Sequence, residues 1–253
     1  MKKILFSILT CCGLFILSSC EKKVTTEDTS VVTHYISFEL EGEESVLVPL
    51  NGTYAEPGFT AIENGNDVKS KVSITITDAA GKVVSSIPTD APGFYTITYA
   101  GTNIDGFDAS ATRYVFVYDP ALTVSLEGTY TTDMSASLYG TKGNTYADYA
   151  PNYGYTGTPT ITFEEIAPGF YNCSDLLAGW YAQVRGIGSR ANMTGMVALN
   201  SDNTITLLSS YIAYWGDALD YINSSSFDPA TGKLTYFASY AGQIFVTPVL
   251  YKN

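Results

Sequence analysis

The chain has 253 residues, 45% of them hydrophobic, with 25 acidic against 13 basic side chains and a net charge of −12 at neutral pH. That length supports one large domain or two small ones. An acidic surface of this kind repels phosphate backbones and anionic headgroups, so nucleic acid is set aside as a partner, because its binding depends on Lys and Arg displacing counterions.

Met1-Lys2-Lys3 forms a positive start, Ile4 to Ile16 an apolar run, and Leu17-Ser18-Ser19-Cys20 a set of small residues closing on a cysteine. This is the pattern of a bacterial lipoprotein signal peptide over residues 1–19, with Cys20 as the lipid-bearing first residue of the mature chain. The run is shorter than the ~20 apolar residues of a membrane span and passes straight into Glu21-Lys22-Lys23. Diacylglyceryl and amino-terminal acyl chains together give a stable anchor, where a single chain binds only marginally. The lipid bilayer is thus the first expected partner, through acylated Cys20. Loss of Lys2 and Lys3 leaves 11 basic residues against 25 acidic ones, a mature net charge of −14. Cys11 and Cys12 leave with the signal peptide and Cys20 carries lipid, so Cys173 stands alone, without a disulfide partner, in a strand-like stretch that suits a small buried hydrophobe.

Residues 20–35 are polar at first and have no apolar period, the signature of a tether. From residue 36 the pattern becomes that of strands. Ser73–Thr77, Tyr95–Tyr99 and Tyr114–Tyr118 alternate with a period of two, and Asp78–Lys82 reads as a turn. After Asp119-Pro120 the same grammar predicts strands near 158–163, 179–184, 196–199, 204–208, 233–239 and 244–251, joined by compact turns at Asn200–Asn203 and Asp228–Gly232. Short, regularly spaced strands without long helical periods predict an all-β chain: an N-terminal sandwich over 36–119 and a C-terminal antiparallel sandwich or barrel-like domain over 120–253. Ala91-Pro92-Gly93-Phe94-Tyr95 follows Gly52-Thr53-Tyr54 at the spacing by which Ala167-Pro168-Gly169-Phe170-Tyr171 follows Gly128-Thr129-Tyr130, an echo that fits repeated turn chemistry in two successive domains.

Two resemblances sharpen this. Tyr54–Phe59, the polar loop Asn64–Asp67, Pro92–Tyr99 and Ala111–Val117 resemble the Ig-like domain named after a pesticidal crystal protein. That resemblance implies a β-sandwich spacer and no toxin activity. Ser174–Leu177, Gly179–Gln183, Arg185-Gly186, Ala198–Asn200, Asp202–Ile205, Trp215–Asp217 and Tyr240–Gly242 resemble the C-terminal region of surface lipoproteins that accompany SusC/SusD-type nutrient importers. This second resemblance implies capture or handover of a nutrient at the exterior of the outer membrane, with importer subunits as partners, and brings no catalytic residues.

The single histidine, His34, lies at the end of the tether. Triads and zinc motifs need imidazole at the reaction centre, so those chemistries are set aside and no metal or cofactor is expected. A pair of acids drawn from Glu164, Glu165, Asp175, Asp217 and Asp220 leaves carboxylate-only glycoside hydrolysis as a rival to a non-catalytic role. Glu164-Glu165 reads as a solvated turn at a strand end. Gly186–Ala191 has the letters of a dinucleotide fingerprint without its helix and reads as a bend. Asn103–Asp108 lacks calcium-loop spacing and reads as a hairpin.

The main positive signal is aromatic. Tyr139, Tyr146, Tyr149, Tyr153 and Tyr155 fall in the Gly- and Asn-rich segment 138–159, which has no strand alternation and reads as a long exposed loop. Such tyrosines serve either a sugar, peptide or protein contact or simple packing over a sheet edge. Trp180 and Trp215, with Tyr181, Arg185, Asp217 and Asp220, are the candidates for ring stacking and hydrogen bonding to a ligand, against core packing as the alternative. The expected function is a surface lipoprotein that captures an oligosaccharide or oligopeptide beside an importer, with a purely scaffolding subunit as the second reading.

Overall fold

Alternation decides which face each strand of the N-terminal half turns inward. The computed structural model describes residues 32–140 and 143–253, so the signal peptide, Cys20 and most of the expected tether lie outside the described residues. One three-stranded sheet takes β1 (Ser37–Leu40), β3 (Phe59–Glu63) and β4 (Asn66–Asp67). A five-stranded sheet runs in the order β2 (Ser45–Pro49), β8 (Asp108–Tyr118), β7 (Gly93–Thr102), β5 (Ser73–Asp78) and β6 (Val83–Val84). Phe59, Ala61 and Val68 from the first layer meet Val48, Ile97, Tyr99, Val115 and Val117 from the second in a shared core. This is the predicted Ig-like sandwich. β2 pairs with β8 in parallel, and the β7–β8 hairpin closes at Asn103–Asp108, where the Asn103 side chain accepts from Phe107 N and donates to the His34 carbonyl.

Inside the sandwich the Arg113 guanidinium, fully buried, donates to the carbonyls of Glu41, Glu43 and Gly58 and to the Tyr99 hydroxyl, and lies 3.5 Å from the Glu56 carboxylate. One cation thus ties the β1–β2 connection and the entry to β3 onto β8. Partial burial works against the Glu56 charge, but hydrogen bonds from Tyr54, Tyr99 and Gly58 N and the nearby Arg113 hold its carboxyl below the ordinary range.

The C-terminal half is one ten-stranded antiparallel sheet that curls on itself. Its strands are β9 (Gly128–Thr132), β10 (Leu138–Tyr139), β11 (Thr160–Ala167), β12 (Phe170–Cys173), β13 (Met193–Leu199), β14 (Ile205–Ile212), β15 (Leu219–Asp228), β16 (Lys233–Tyr240), β17 (Ile244–Thr247) and β18 (Val249–Lys252). Successive long strands pair with their neighbours except at β14 and β15, and the last returns to the first where β18 pairs with β9. Between β14 and β15 the seam is closed by side chains: Ser225 Oγ accepts from Ile205 N and donates to its carbonyl, Ser210 Oγ accepts from Leu219 N, and Phe227 N donates to Asn203 O. The product is a filled barrel. Tyr130, Ile161, Phe163, Tyr171, Val197, Leu234, Tyr236, Val246 and Leu250 occupy its interior, as alternation predicts.

Several strand expectations shift. The predicted strand 244–251 is one register of pairing against β16 broken at Pro248, which has no N–H to give the ladder. Glu164 and Glu165 lie within β11 and not in a turn, with Glu165 Oε1 accepting from Gly169 N and the Tyr171 hydroxyl beside the strand's bulge. β15 was not anticipated, because its Asn223–Ser226 run is polar and irregularly paired.

The two halves meet through opposite faces of the same strands. On β8, Val115 and Val117 point into the sandwich, so Phe116 must point out, and there it is buried against Phe170, Ala167 and Ala198 of the barrel wall. Phe94 lies 5.0 Å from Phe116, which lies 5.2 Å edge-on from Phe170. The two Pro-Gly-Phe-Tyr copies therefore each send a Phe to this seam, while the following Tyr95 and Tyr171 turn into their own cores.

Candidate functional site

The long connection from β12 to β13 folds inward and plugs one end of the barrel. It starts with Asp175, fully buried, whose carboxylate accepts from Leu177 N, Met193 N and Gly179 N at 2.9–3.1 Å. Burial pushes this carboxyl up to about 6, against the lowering effect of those three hydrogen bonds. Leu176, Leu177 and Ala178 follow into the core, their carbonyls taken by the hydroxyls of Tyr236, Tyr146 and Thr132. Gly179, at φ 81, then opens a single turn of wide helix, Trp180–Val184, with bonds from Val184 N to Gly179 O and from Arg185 N to Trp180 O at 3.0 Å. This corrects the strand predicted over 179–184. Gly186 and Gly188, both at positive φ, lead into one short turn, Ser189–Ala191, so Gly186–Ala191 is a bend, as its letters without a following helix had implied.

Residues 143–159 are largely exposed, as a long loop there was expected to be, but they hold short helical turns and turn Tyr146, Ala150 and Pro159 inward. β10 is followed by α1 (Tyr146–Tyr149), whose Thr145 and Asp148 form a reciprocal capping box, and by a tight turn, Ala150–Tyr153, ended by Gly154 in the left-handed region. Tyr146 is wholly buried with its hydroxyl donating to the Leu177 carbonyl of the plug, and Tyr155 packs at the core margin.

Trp180 sits at the centre of the resulting aromatic assembly. The Tyr139 ring stacks on it at 4.0 Å, Tyr146 and Tyr149 lie 5.1 and 5.2 Å away, and Tyr153 stands edge-on at 6.1 Å. Trp180 is 1% exposed, so it belongs to the core and offers no ligand a free ring face. Tyr139 is hydrogen-bonded through its hydroxyl to that of Tyr181 at 2.6 Å, and burial together with this contact pushes the Tyr181 phenol well up.

Beyond Tyr181 the assembly reaches solvent. Trp215 meets the Tyr181 ring at 4.7 Å and Tyr214 lies 4.8 Å from Trp215; these two and Tyr153 are 44%, 48% and 45% exposed. The Arg185 guanidinium lies over Tyr153 at 5.2 Å and over Tyr181 at 5.4 Å. A cleft of about 640 Å³ is lined by Tyr139, Tyr149, Asn144 and the residues Gly242–Phe245 that join β16 to β17. The half-exposed Tyr153, Tyr214 and Trp215 supply stacking faces and the cleft, lined by other residues, supplies hydrogen-bonding groups, both of which small-molecule sites use.

Of the acids read from the sequence, Asp220 accepts from Ser239 Oγ and Gly242 N, Asp217 accepts from Ala218 N, and Asp175 is sealed in the core. The structure therefore gathers Tyr139, Tyr149, Tyr153, Trp180, Tyr181, Arg185 and Trp215 at one barrel end, assigns Tyr146 and Tyr155 to packing, and leaves Asp217 and Asp220 braced by local donors. Tyr214 and Tyr240 were missed as members; the Tyr214-Trp215 doublet was the available signal. Burial raises the Cys173 thiol, in keeping with an inert core position. A second groove of about 440 Å³ crosses β11 to β14 between Thr162, Asn172, Thr194 and Tyr211.

A family model for the Ig-like domain of bacterial surface proteins matches residues 38–117, and a model of a C-terminal domain matches residues 119–251. Among solved structures, the lipoprotein BT2262 from Bacteroides thetaiotaomicron is 32% identical, the match covering 86% of this chain and 100% of that one, at a TM-score of 0.45. No curated protein matches.

Proposed function

The chain belongs to the family of bacterial surface lipoproteins in which an Ig-like domain precedes this C-terminal domain, and from that premise we propose that it captures a nutrient, without catalysis, at the outer face of the outer membrane. In this reading Cys20 carries the lipid, the Ig-like half is the spacer, and the barrel mouth is the binding part. The ligand is an oligosaccharide or an oligopeptide handed to a SusC/SusD-type importer. The observation that carries the reading is the row of half-exposed rings at Tyr153, Tyr214 and Trp215, continuous with a buried aromatic core that fixes their orientation. Rings held this way bind with little loss of side-chain freedom.

A scaffolding role has its own support: Tyr146 and Trp180 are buried, so the inner rings act in packing. Gentle detergent extraction, affinity capture of the lipidated chain and mass spectrometry of what accompanies it, with protease shaving of intact cells, separates the readings. The proposal expects importer subunits in the eluate, cleavage of the protein on intact cells, and a bound saccharide or peptide. Importer subunits without any ligand-binding activity would favour the scaffold, and protection from protease would remove the surface role.

A further inference from the structure

We propose that Arg185 is the anion subsite of the barrel mouth and that the ligand is an acidic oligosaccharide whose uronate carboxylates it receives; this rests on the ligand-binding reading above. Among the described residues, two side-chain donors are buried with no acceptor, Trp180 Nε1 and Arg185 Nε, on the first residue of the wide helical turn and on the residue that caps its end. A buried donor without an acceptor is costly, so its persistence calls for a compensating role.

The chain has 25 acidic residues and three arginines, at 113, 185 and 190. Arg113 makes the sole ion pair among the described residues, while Arg185 has none. Nearby carboxylates are otherwise engaged: Asp217 with Ala218 N, and Asp220 with Ser239 Oγ and Gly242 N, each at 2.8 Å. The rings of Tyr153 and Tyr181 pack against the guanidinium, with centroids 5.2 and 5.4 Å from its central carbon. A carboxylate meets that planar fork with two parallel hydrogen bonds.

A uronate joins such a carboxylate to a ring with an apolar face, and half-exposed Trp215 and Tyr214 supply the faces for it beside Tyr181. Arg190, exposed and 6.0 Å from the Tyr214 ring centroid, adds a second positive charge on the same rim. Two of the three arginines thus stand on this rim of an otherwise acidic chain, so the match is to a short acidic sugar held at the rim and not to a long polyanion, which the rest of the surface repels.

Calorimetry of the full lipidated chain in detergent tests this with short oligogalacturonates, the same oligomers methyl-esterified, neutral xylo-oligosaccharides of equal length, and oligopeptides. The acid form is expected to bind, Arg185→Met to weaken it about tenfold or more, Arg185→Lys to weaken it less, and esterification to match the Arg185→Met loss. Tyr211→Ala, in the groove across β11 to β14, leaves affinity unchanged, and unaltered thermal unfolding of the variants shows that they fold. Equal affinity for acid and ester, or an Arg185→Met variant that binds as the wild type does, overturns the anion subsite. If neutral sugars bind and that binding falls with Trp215→Ala alone, the anion subsite fails while the aromatic site stands. Binding of peptides but not uronates overturns the sugar assignment, and binding of nothing removes both readings.

Discussion

Asp175 shows how a single ionisable group can hold a plug and still oppose folding. Its three backbone donors organise the entry to the plug, yet its burial raises the carboxyl from an ordinary 3.8 to about 6. The native state therefore binds the proton more tightly than the unfolded chain between those values. Stability from this group is highest below pH 4, falls as the pH rises through that window, and is lowest above 6, by up to about 3 kcal/mol. Urea unfolding at pH 5 and pH 7 is expected to show greater stability at pH 5, and Asp175→Asn is expected to flatten the difference. The amide keeps the oxygen shared by Leu177 N and Met193 N and loses only the bond from Gly179 N. A pH dependence identical in both proteins contradicts the assignment.

At the scale of the element, Gly179 controls the wide turn. Its φ of 81 is one that side chains rarely adopt, and an added Cβ meets the Pro159 Cβ at 2.6 Å. Gly179→Ala is expected to cost about 2 kcal/mol or more and to shift Trp180 fluorescence toward that of a solvated indole, read by denaturant titration and emission maximum. This element also marks where the sequence stopped being legible. β5, β7, β8, β13, β14 and β16 were readable because one buried face imposes a period of two. Residues 179–184 are buried on nearly every side, so no alternation distinguishes a turn from a strand there. Segment 138–159 was legible only in part for a related reason: its glycines and asparagines describe its turns and exposure, whereas the burial of Tyr146 depends on the Leu177 carbonyl that the plug, some thirty residues further on, presents. The candidate aromatics were legible as residue types, and their division into core and rim was not.

For the whole molecule, the seam around Phe116 joins the Ig-like half to the barrel through rings that local alternation forces outward. The same logic runs through the barrel, where Tyr146 and Trp180 are spent on packing and only Tyr153, Tyr214 and Trp215 remain to meet a ligand. A test that truncates all the aromatics at once would confuse unfolding with loss of binding. The most direct measurement is calorimetric titration of the full mature chain with a panel of oligosaccharides and oligopeptides, repeated on the Tyr214→Ala/Trp215→Ala double variant. The account predicts that one ligand class binds the wild type and that the double variant, with unchanged thermal unfolding, loses about tenfold or more of that affinity. Undiminished binding by the double variant, or no binding by the wild type to any member of the panel, would contradict it.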